Sequence, residues 1–423
     1  MTRNRTVTTV AAVAAASALM LAGCSADGTE SSDGPIELTF WHGYTEADGD
    51  VLEQIVADFN AENPDIVIST EINPWAVIDD TLLPALSAGT GPDIVAMPAE
   101  RLPVYADRGA FASLDEFYAD PANNAGAVNP GAVDMITVNG TAYGVPTGFV
   151  PLAVYFNKAL FEAAGITEAP TTWDDWVSVS EQLTIDENGD GTPEQYGVIL
   201  PDHATVANGL WPSLFYGNGG EIVEGGDTAV IDSPENAETL EFWRDAIVES
   251  AISPTGVDGI EADSIFSSGR AAMTIGGPWM VFIAADNGID YGIAPIPAGP
   301  VDQAASAIGV SMAITQQEDP ARQAAAEKFF AYFLNDDNAV AWSLGSGWPP
   351  LRTDIAADSV ADNATVAALT SMAEFGRPLL PGVVNSVDVL TAVDNLTQQV
   401  MAGGDIDALL AEAQAEIEAA LAG

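Results

Sequence analysis

The chain is poor in cysteine, histidine, lysine and arginine, four residue types that support particular functions. Its 423 residues contain one cysteine, two histidines and 11 lysine and arginine side chains, against 62 aspartates and glutamates. A single cysteine excludes an intrachain disulfide, so stability must come from packing. The charge argues against nucleic acid as a partner, because phosphate binding requires clustered lysine and arginine. Excess acid is consistent with a solvated surface that keeps the protein soluble.

The N-terminal segment has the layout of a secretory signal. Arg3 and Arg5 form a positive region ahead of an apolar run over residues 7–22. This run is too short for a transmembrane helix and is typical of a signal peptide. Residues 1–23 are therefore predicted to direct export.

The single cysteine stands where the apolar run ends. Residues 21–24 read Leu-Ala-Gly-Cys, which resembles a bacterial lipobox. The resemblance implies cleavage before Cys24, acylation of its thiol and attachment to the extracellular face of the cell membrane. Residues 24–35, which are rich in Ser, Gly and Asp, would then be a flexible tether. The alternative is an ordinary signal peptide with an incidental cysteine.

The mature chain alternates strand and helix signals. Residues 36–41 alternate as a strand does, a helix begins at Asp50 with Glu53 completing a capping box, and residues 66–68 form the next strand. Strand, helix and strand within about 35 residues indicate a βαβ unit of a parallel sheet. About 400 mature residues exceed one core, so the sequence predicts an α/β fold with an open sheet in each of two lobes.

Local capping signals mark later helices. Thr172, Ser233 and Asp319 each precede a helical apolar pattern, and residues 405–421 form a C-terminal helix. In open α/β sheets ligands bind beyond the carboxyl ends of the strands, so the strand-to-helix loops are where a binding site is expected.

Four segments spread over the mature chain carry a family resemblance. They are residues 40–43 (Phe-Trp-His-Gly), 91–115 (beginning Gly-Pro-Asp-Ile-Val), 143–166 (including Tyr-Phe-Asn-Lys) and 266–279 (ending Gly-Gly-Pro-Trp). In this order and behind a lipobox, they resemble the extracellular solute-binding proteins of bacterial ABC importers, in particular the maltose- and oligosaccharide-binding group.

The resemblance implies a type II periplasmic-binding-protein-like fold, in which hinge strands join two lobes around a cleft. Crossings between the lobes are expected near Val150, near Gly309 and at residues 347–350. The expected boundaries are 36–149 plus 310–348 for lobe 1 and 150–309 plus 349–423 for lobe 2. The cleft would close on a ligand that contacts both lobes.

The function implied is that of a lipid-anchored, monomeric subunit that captures a di- or oligosaccharide and delivers it to the permease subunits of an ABC importer. No catalysis and no cofactor are required. An extracellular glycoside hydrolase is an alternative, because it also uses carboxylates and aromatic platforms. A binding protein for a sugar phosphate or a peptide is another.

The resemblance also selects candidate ligand contacts. Sugars present apolar faces to aromatic rings and hydroxyl edges to carboxylates, amides and arginine. Trp279, which follows a Gly-Gly-Pro turn, matches the family's stacking tryptophan; a core tryptophan is the alternative. The other candidates are Tyr44, Glu46, Trp75, Glu100, Arg101, Trp211, Tyr216, Trp348, Arg377 and Asn385.

One candidate pair bears on specificity. Relatives that bind malto-oligosaccharides carry an acid and an arginine where this chain has Glu100 and Arg101, although a surface ion pair is the alternative. Those relatives also have a carboxylate near the first hinge, where this chain has Val150 and Pro151. Maltose-type specificity is therefore not implied.

Residues 186–194 have the spacing of an EF-hand-like calcium loop. The oxygen ligands would be Asp186, Asn188, Asp190, Thr192 and Glu194. Position twelve is Gly197 instead of the bidentate glutamate, and a polar Asp- and Gly-rich turn explains the same residues. A calcium ion here would be structural.

Overall fold

The computed structural model describes residues 34–45 and 47–423, apart from the side chain of Ala76. The signal peptide, Cys24 and Glu46 lie outside the described residues, so the predictions made for them stay predictions. The described strands are β1 Ile36–His42, β2 Ile66–Ile72, β3 Ile94–Pro98, β4 Thr137–Val138, β5 Thr141–Ala142, β6 Val145–Pro151, β7 Ala153–Asn157, β8 Tyr196–Ile199, β9 Val223–Glu224, β10 Thr228–Ala229, β11 Ala271–Gly276, β12 Tyr291–Pro295, β13 Ala305–Ile314 and β14 Gly376–Pro378. The α-helices are α1 Ala47–Glu62, α2 Trp75–Ser87, α3 Leu102–Asp107, α4 Asp115–Ala119, α5 Pro130–Met135, α6 Lys158–Ala164, α7 Trp173–Leu183, α8 Ala207–Gly217, α9 Pro234–Arg244, α10 Gly259–Ser267, α11 Met280–Asp286, α12 Pro320–Phe333, α13 Asp336–Ser346, α14 Ala364–Ser371, α15 Ser386–Met401 and α16 Ile406–Ala422.

The larger sheet has six strands in the order β14-β13-β3-β1-β2, with β6 also paired to β13. Strand β1 runs parallel to both β2 and β3. The predicted βαβ unit is thus confirmed, with α1 as its crossover helix. Strand β13 is antiparallel to β3 and to β6.

The smaller sheet has four strands in the order β12-β7-β11-β8. Strands β11 and β8 are parallel, whereas β7 is antiparallel to both β11 and β12. Helices pack around each sheet, so the chain has the two α/β lobes that were predicted.

The long strands β6 and β13 connect these regions. Val150 pairs with Ile308, and Gly309 pairs with Phe149. Gly309 allows a close approach, because a Cβ there would lie 2.4 Å from the carbonyl oxygen of Gly148. Two of the three expected crossings therefore lie on one pair of adjacent strands. The exact lobe boundaries stay a prediction.

Capping residues explain where several helices begin. The side chains of Thr172, Ser233 and Asp319 each accept a hydrogen bond from the first turn of the helix that follows, as predicted. The prediction for the first helix was wrong, since α1 begins at Ala47 and not at Asp50. Glu53 contacts the ring of His42 across 3.3 Å instead of completing a capping box.

Within residues 34–45 and 47–423, no helix combines the length and apolar character that crossing a membrane requires.

Candidate functional site

Helix α15 connects strand ends of the two sheets. At its start, the Ser386 hydroxyl donates a hydrogen bond to the carbonyl of Glu100, just beyond β3. Near its end, the Thr397 hydroxyl donates to the carbonyl of Asp202, beyond β8. At 1.5 Å per residue, α15 spaces these two strand ends roughly 16 Å apart. The space between them is where open α/β sheets bind ligands.

Glu100 and Arg101 follow β3 directly, and their contact with a ligand stays a prediction. The Arg101 guanidinium is bonded to Asp79 of α2, and its Nε lies 3.8 Å from the Glu100 carboxylate. The Glu100 side chain is only 14 % exposed, and burial raises its pKa to about 7. Near neutral pH this carboxyl is divided between its two protonation states, so it can either accept a hydrogen bond from a hydroxyl or donate one. Sequence analysis did not identify Asp79.

An aromatic cluster packs against β6 on the side of the larger sheet. The Tyr44 ring makes edge contacts with Trp75 at 5.3 Å and with Trp342 at 5.4 Å, and its hydroxyl bonds to that of Thr147. The Trp348 ring covers Gly148, where a Cβ would lie 2.4 Å from it.

This packing decides which aromatic ring can face a ligand. Tyr44 is 2 % exposed and Trp348 is 6 % exposed. Tyr44 is therefore a buried support and not the exposed platform that was predicted. Trp75 is only half-buried, with its ring over Gly43 and its edge contact to Tyr44. In this conformation Trp75 is a half-buried aromatic ring beside the larger sheet, whereas Trp348 is covered.

On the smaller sheet, the half-buried aromatic ring after a strand is that of Trp279. It follows β11, immediately precedes α11 and is half-buried. Its ring folds back over Gly277, where an added Cβ would lie 2.2 Å from the indole. The neighbouring Pro278 approaches Gly347, the residue before Trp348. Trp279 is thus accessible and lies at the strand end, as its prediction as a stacking platform requires.

A polar cluster that sequence analysis missed follows β8. Asp202 accepts from the ring of His203 at 2.7 Å, and Asn208 donates to Asp394 of α15 at 2.7 Å. Burial is the main cause that raises the pKa of Asp394. Thr205, in the same loop, has a φ of 45°, a strained conformation for a β-branched residue. The available sequence signal was Asp202 and His203 directly after a buried strand.

The prediction that Trp211 lines the cleft is wrong. Its side chain is 0 % exposed inside the core around α8, and its indole nitrogen donates to the carbonyl of Pro201 at 3.1 Å. Every residue of α8 except Asn208 is buried. A helix buried on nearly all sides is core, so Trp211 stabilises the lobe and presents no face to a ligand.

Tyr216, Arg377 and Asn385 are engaged in other contacts. The Arg377 guanidinium lies 5.3 Å from the centre of the Tyr216 ring and bonds to Asp302 at 2.7 Å. Tyr216 is buried. Tyr216 and Arg377 therefore contact each other beside the edge strand β14. The amide nitrogen of Asn385 donates to the carbonyl of Ala420, tying α15 to α16. The next residue, Ser386, is the one whose side chain reaches the Glu100 carbonyl.

The calcium-like loop closes on its own backbone. Asp186 accepts from the amides of Gly189 and Gly191, and Glu194 accepts from Glu187 and from the Asn188 amide. In the described part of the chain, no group of three His, Cys, Asp or Glu side chains is arranged to hold a metal ion. A calcium ion held by Asp186, Asn188, Asp190, Thr192 and Glu194 stays a prediction.

Comparison with known proteins shows the family of this chain. Residues 43–340 match the family model of the bacterial extracellular solute-binding proteins. The chain belongs to that family. A binding protein of Brucella abortus is 26 % identical over 414 residues, covering 95 % of this chain and 97 % of its own length. The galactooligosaccharide-binding protein of Bacillus subtilis is 25 % identical over 417 residues, covering 92 % of this chain and 91 % of its own.

A solved structure matches the fold over nearly the whole chain. The cyclic alpha-maltosyl-1,6-maltose binding protein from Arthrobacter globiformis superposes with a TM-score of 0.79 at 25 % identity, covering 92 % of this chain and 99 % of that one. Glu100 and Trp75 lie beside the larger sheet, and Trp279 and the loop that contains Asp202 lie beside the smaller sheet.

Proposed function

We propose that this solute-binding protein captures a di- or oligosaccharide between its lobes, as a monomer, and delivers it to the permease of an ABC importer. The observation that supports this most is the kind of side chain found near strand ends of the two sheets. They are the half-buried indole rings of Trp75 and Trp279 and the buried carboxyl of Glu100. Aromatic faces suit the apolar faces of sugar rings, and a buried carboxyl suits their hydroxyls. Two relatives are named for the binding of galactooligosaccharide and of a cyclic maltosyl sugar, which is consistent with this class.

Ligand binding is proposed to bring the two lobes together. Lobe 1 would comprise residues 36–149 plus 310–348, and lobe 2 would comprise residues 150–309 plus 349–423. A ligand held by both lobes stabilises the closed form by the difference between its affinities for the two states. Support comes from the β6–β13 pairing at the crossing and from Ser386, which already joins α15 to the Glu100 carbonyl.

A thermal-shift screen tests the ligand class. Galacto-oligosaccharides, malto-oligosaccharides and their monosaccharides are compared with a sugar phosphate and a peptide mixture, because a ligand that binds only the native state raises its Tm. We expect a di- or oligosaccharide to give the largest increase, without turnover on prolonged incubation. Cleavage of the sugar would instead support the glycoside hydrolase. An increase with the phosphate or the peptide alone would contradict the proposal.

Replacing Trp279 with alanine should weaken binding of the sugar found in that screen by about 1–3 kcal/mol, since one stacking face is lost. Isothermal titration calorimetry measures the change, and Trp279→Phe should recover part of it. Trp243→Phe is a matched control, because Trp243 is fully buried in a helix core away from these loops. Unchanged affinity in Trp279→Ala would remove Trp279 from the site.

We also propose that a lipid on Cys24 holds the protein beside its importer. One acyl chain anchors only marginally, so a modification with more than one chain is needed for stable attachment. Cys24→Ser is expected to move the protein from the membrane fraction to the medium, measured by fractionation, while sugar affinity is unchanged. Retention of the variant in the membrane fraction would argue against the anchor.

A further inference from the structure

A pocket between helices α10 and α11 includes the candidate platform Trp279. Its volume is about 400 Å³, within the range of roughly 300–1,000 Å³ that is usual for small-molecule sites. Trp279, Phe282 and Ile283 line one side of it, and their i, i+3 and i+4 spacing places them on one face of α11. All three side chains are only half-buried. This α10–α11 pocket thus extends the accessible aromatic surface of Trp279.

Helix α10 forms the other side of the α10–α11 pocket. The residues that line it there occupy the i, i+3, i+4 and i+7 positions, which share one helix face. They are Ile260, Asp263, Ser264 and Ser267. Ile260 is 67 % exposed and adds apolar surface to that of α11. Each of the two helices therefore presents one open face to the pocket.

The polar groups of the pocket suit a ligand with hydroxyls. The Oδ1 atom of Asp263 is buried and has no hydrogen-bond partner among the described residues. A buried acceptor without a partner costs free energy, and a ligand hydroxyl that donates to it would remove that cost. The hydroxyls of Ser264 and Ser267 donate to carbonyls within α10, so their oxygens can still accept. The pocket thus combines acceptors with an apolar surface, as binding of a sugar ring requires.

The charges of the pocket select against an anionic ligand. Its ionisable side chains are Asp263 and Asp286, and no lysine or arginine is among the described residues that line it. Asp258 and Glu261 add two further carboxylates at the start of α10. These groups would repel a phosphorylated or carboxylated sugar but not a neutral one. The α10–α11 pocket is therefore suited to uncharged rings.

We propose that the α10–α11 pocket is an additional sugar subsite, which binds the uncharged rings of an oligosaccharide beyond the ring that stacks on Trp279. The occupant follows from continuity. Because Trp279 itself lines the pocket, a ring stacked on Trp279 holds the next ring of the same chain beside the pocket at a high effective concentration. This inference rests on the proposed function and narrows its ligand to a neutral oligosaccharide that is longer than a disaccharide.

Affinity as a function of chain length tests the subsite. Calorimetry on the full-length protein compares maltose, maltotriose and maltotetraose, and galacto-oligosaccharides of the same lengths. Ser264→Leu fills part of the pocket, and Phe282→Ala removes apolar surface from it. Ser268→Leu is the matched control, because Ser268 is also exposed, also bonds to a carbonyl of α10 and does not line the pocket. Thermal melting shows whether each variant folds.

We expect the longer sugars of the preferred series to bind the parent protein about ten-fold more tightly than the disaccharide, the gain that one or two added hydrogen bonds would provide. Ser264→Leu should remove that gain while its affinity for the disaccharide stays near the parent value. Phe282→Ala should reduce the gain, and Ser268→Leu should keep it.

The possible results separate this inference from the proposed function. If the disaccharide and the longer sugars bind equally, or if the gain persists in a folded Ser264→Leu, the inference is overturned and the proposed function stands. If no sugar of any length binds, the proposed function fails as well. Trigalacturonic acid is the anionic probe, and tighter binding of it than of the neutral trisaccharides would refute the uncharged class. If Ser264→Leu changes only the oligomeric state, measured by analytical ultracentrifugation, the pocket is instead a contact between copies of the chain.

Discussion

Replacing Trp211 with alanine is expected to lower the free energy of unfolding by about 3–5 kcal/mol, the range for removing a large buried aromatic side chain. Trp211 is among the largest side chains that are completely buried, and its indole nitrogen satisfies the carbonyl of Pro201. The substitution therefore leaves a cavity and a buried carbonyl that has lost its partner. Urea titration followed by circular dichroism measures the loss.

The same experiment separates the two roles considered for Trp211. Trp279→Ala is the control, because Trp279 is only half-buried and should cost much less stability. Below its unfolding transition, Trp211→Ala should still bind the sugar with nearly the parent affinity, whereas Trp279→Ala should not. A Trp211 variant with parent stability and lost affinity would return Trp211 to the ligand site.

Trp211 was misassigned although the sequence held evidence for its burial. Loops after strands were correctly predicted as the location of Glu100 and Trp279, because that rule depends only on element order. Trp211 was assigned by its resemblance to an aromatic-rich segment, although α8 is apolar on nearly every side. That all-round apolar pattern was the available evidence for a core helix.

Local signals were reliable where the structure itself is local. The capping side chains of Thr172, Ser233 and Asp319 act on amides two or three residues away, so their neighbours in sequence determine the outcome. The first helix was misplaced for the opposite reason. Glu53 contacts His42, on the preceding strand, and such a tertiary partner cannot be identified from helix spacing.

The remaining site residues depend on long-range contacts. Asp79 meets Arg101 from 22 positions away, and Ser386 meets Glu100 across 286 positions. Asp263 and Trp279 line one pocket only because α10 and α11 pack together. Among 62 acidic side chains, no spacing rule marks these partners, and the fold is needed to select them.

Replacing Glu100 with glutamine is expected to stabilise the ligand-free protein at alkaline pH by up to roughly 3 kcal/mol, at about 1.36 kcal/mol per pKa unit. Burial raises the pKa of Glu100 from its ordinary value of 4.5 to about 7. Because the folded state then binds more protons than the unfolded state between these values, parent stability should fall as the pH rises through that interval. Glutamine cannot ionise, so the variant avoids this loss.

The measurement is the free energy of unfolding at pH 4.5, 6 and 8 without ligand. Glu241→Gln is the matched control, because Glu241 is exposed on α9 and should show no such dependence. The gain in Glu100→Gln should be near zero at pH 4.5 and largest at pH 8. A sugar hydroxyl that donates to Glu100 would offset the cost of ionisation in the parent, so saturating sugar should shrink the gain at pH 8. A gain that is equal at every pH, or a parent that is more stable at pH 8, would contradict the buried, ionisable role of Glu100.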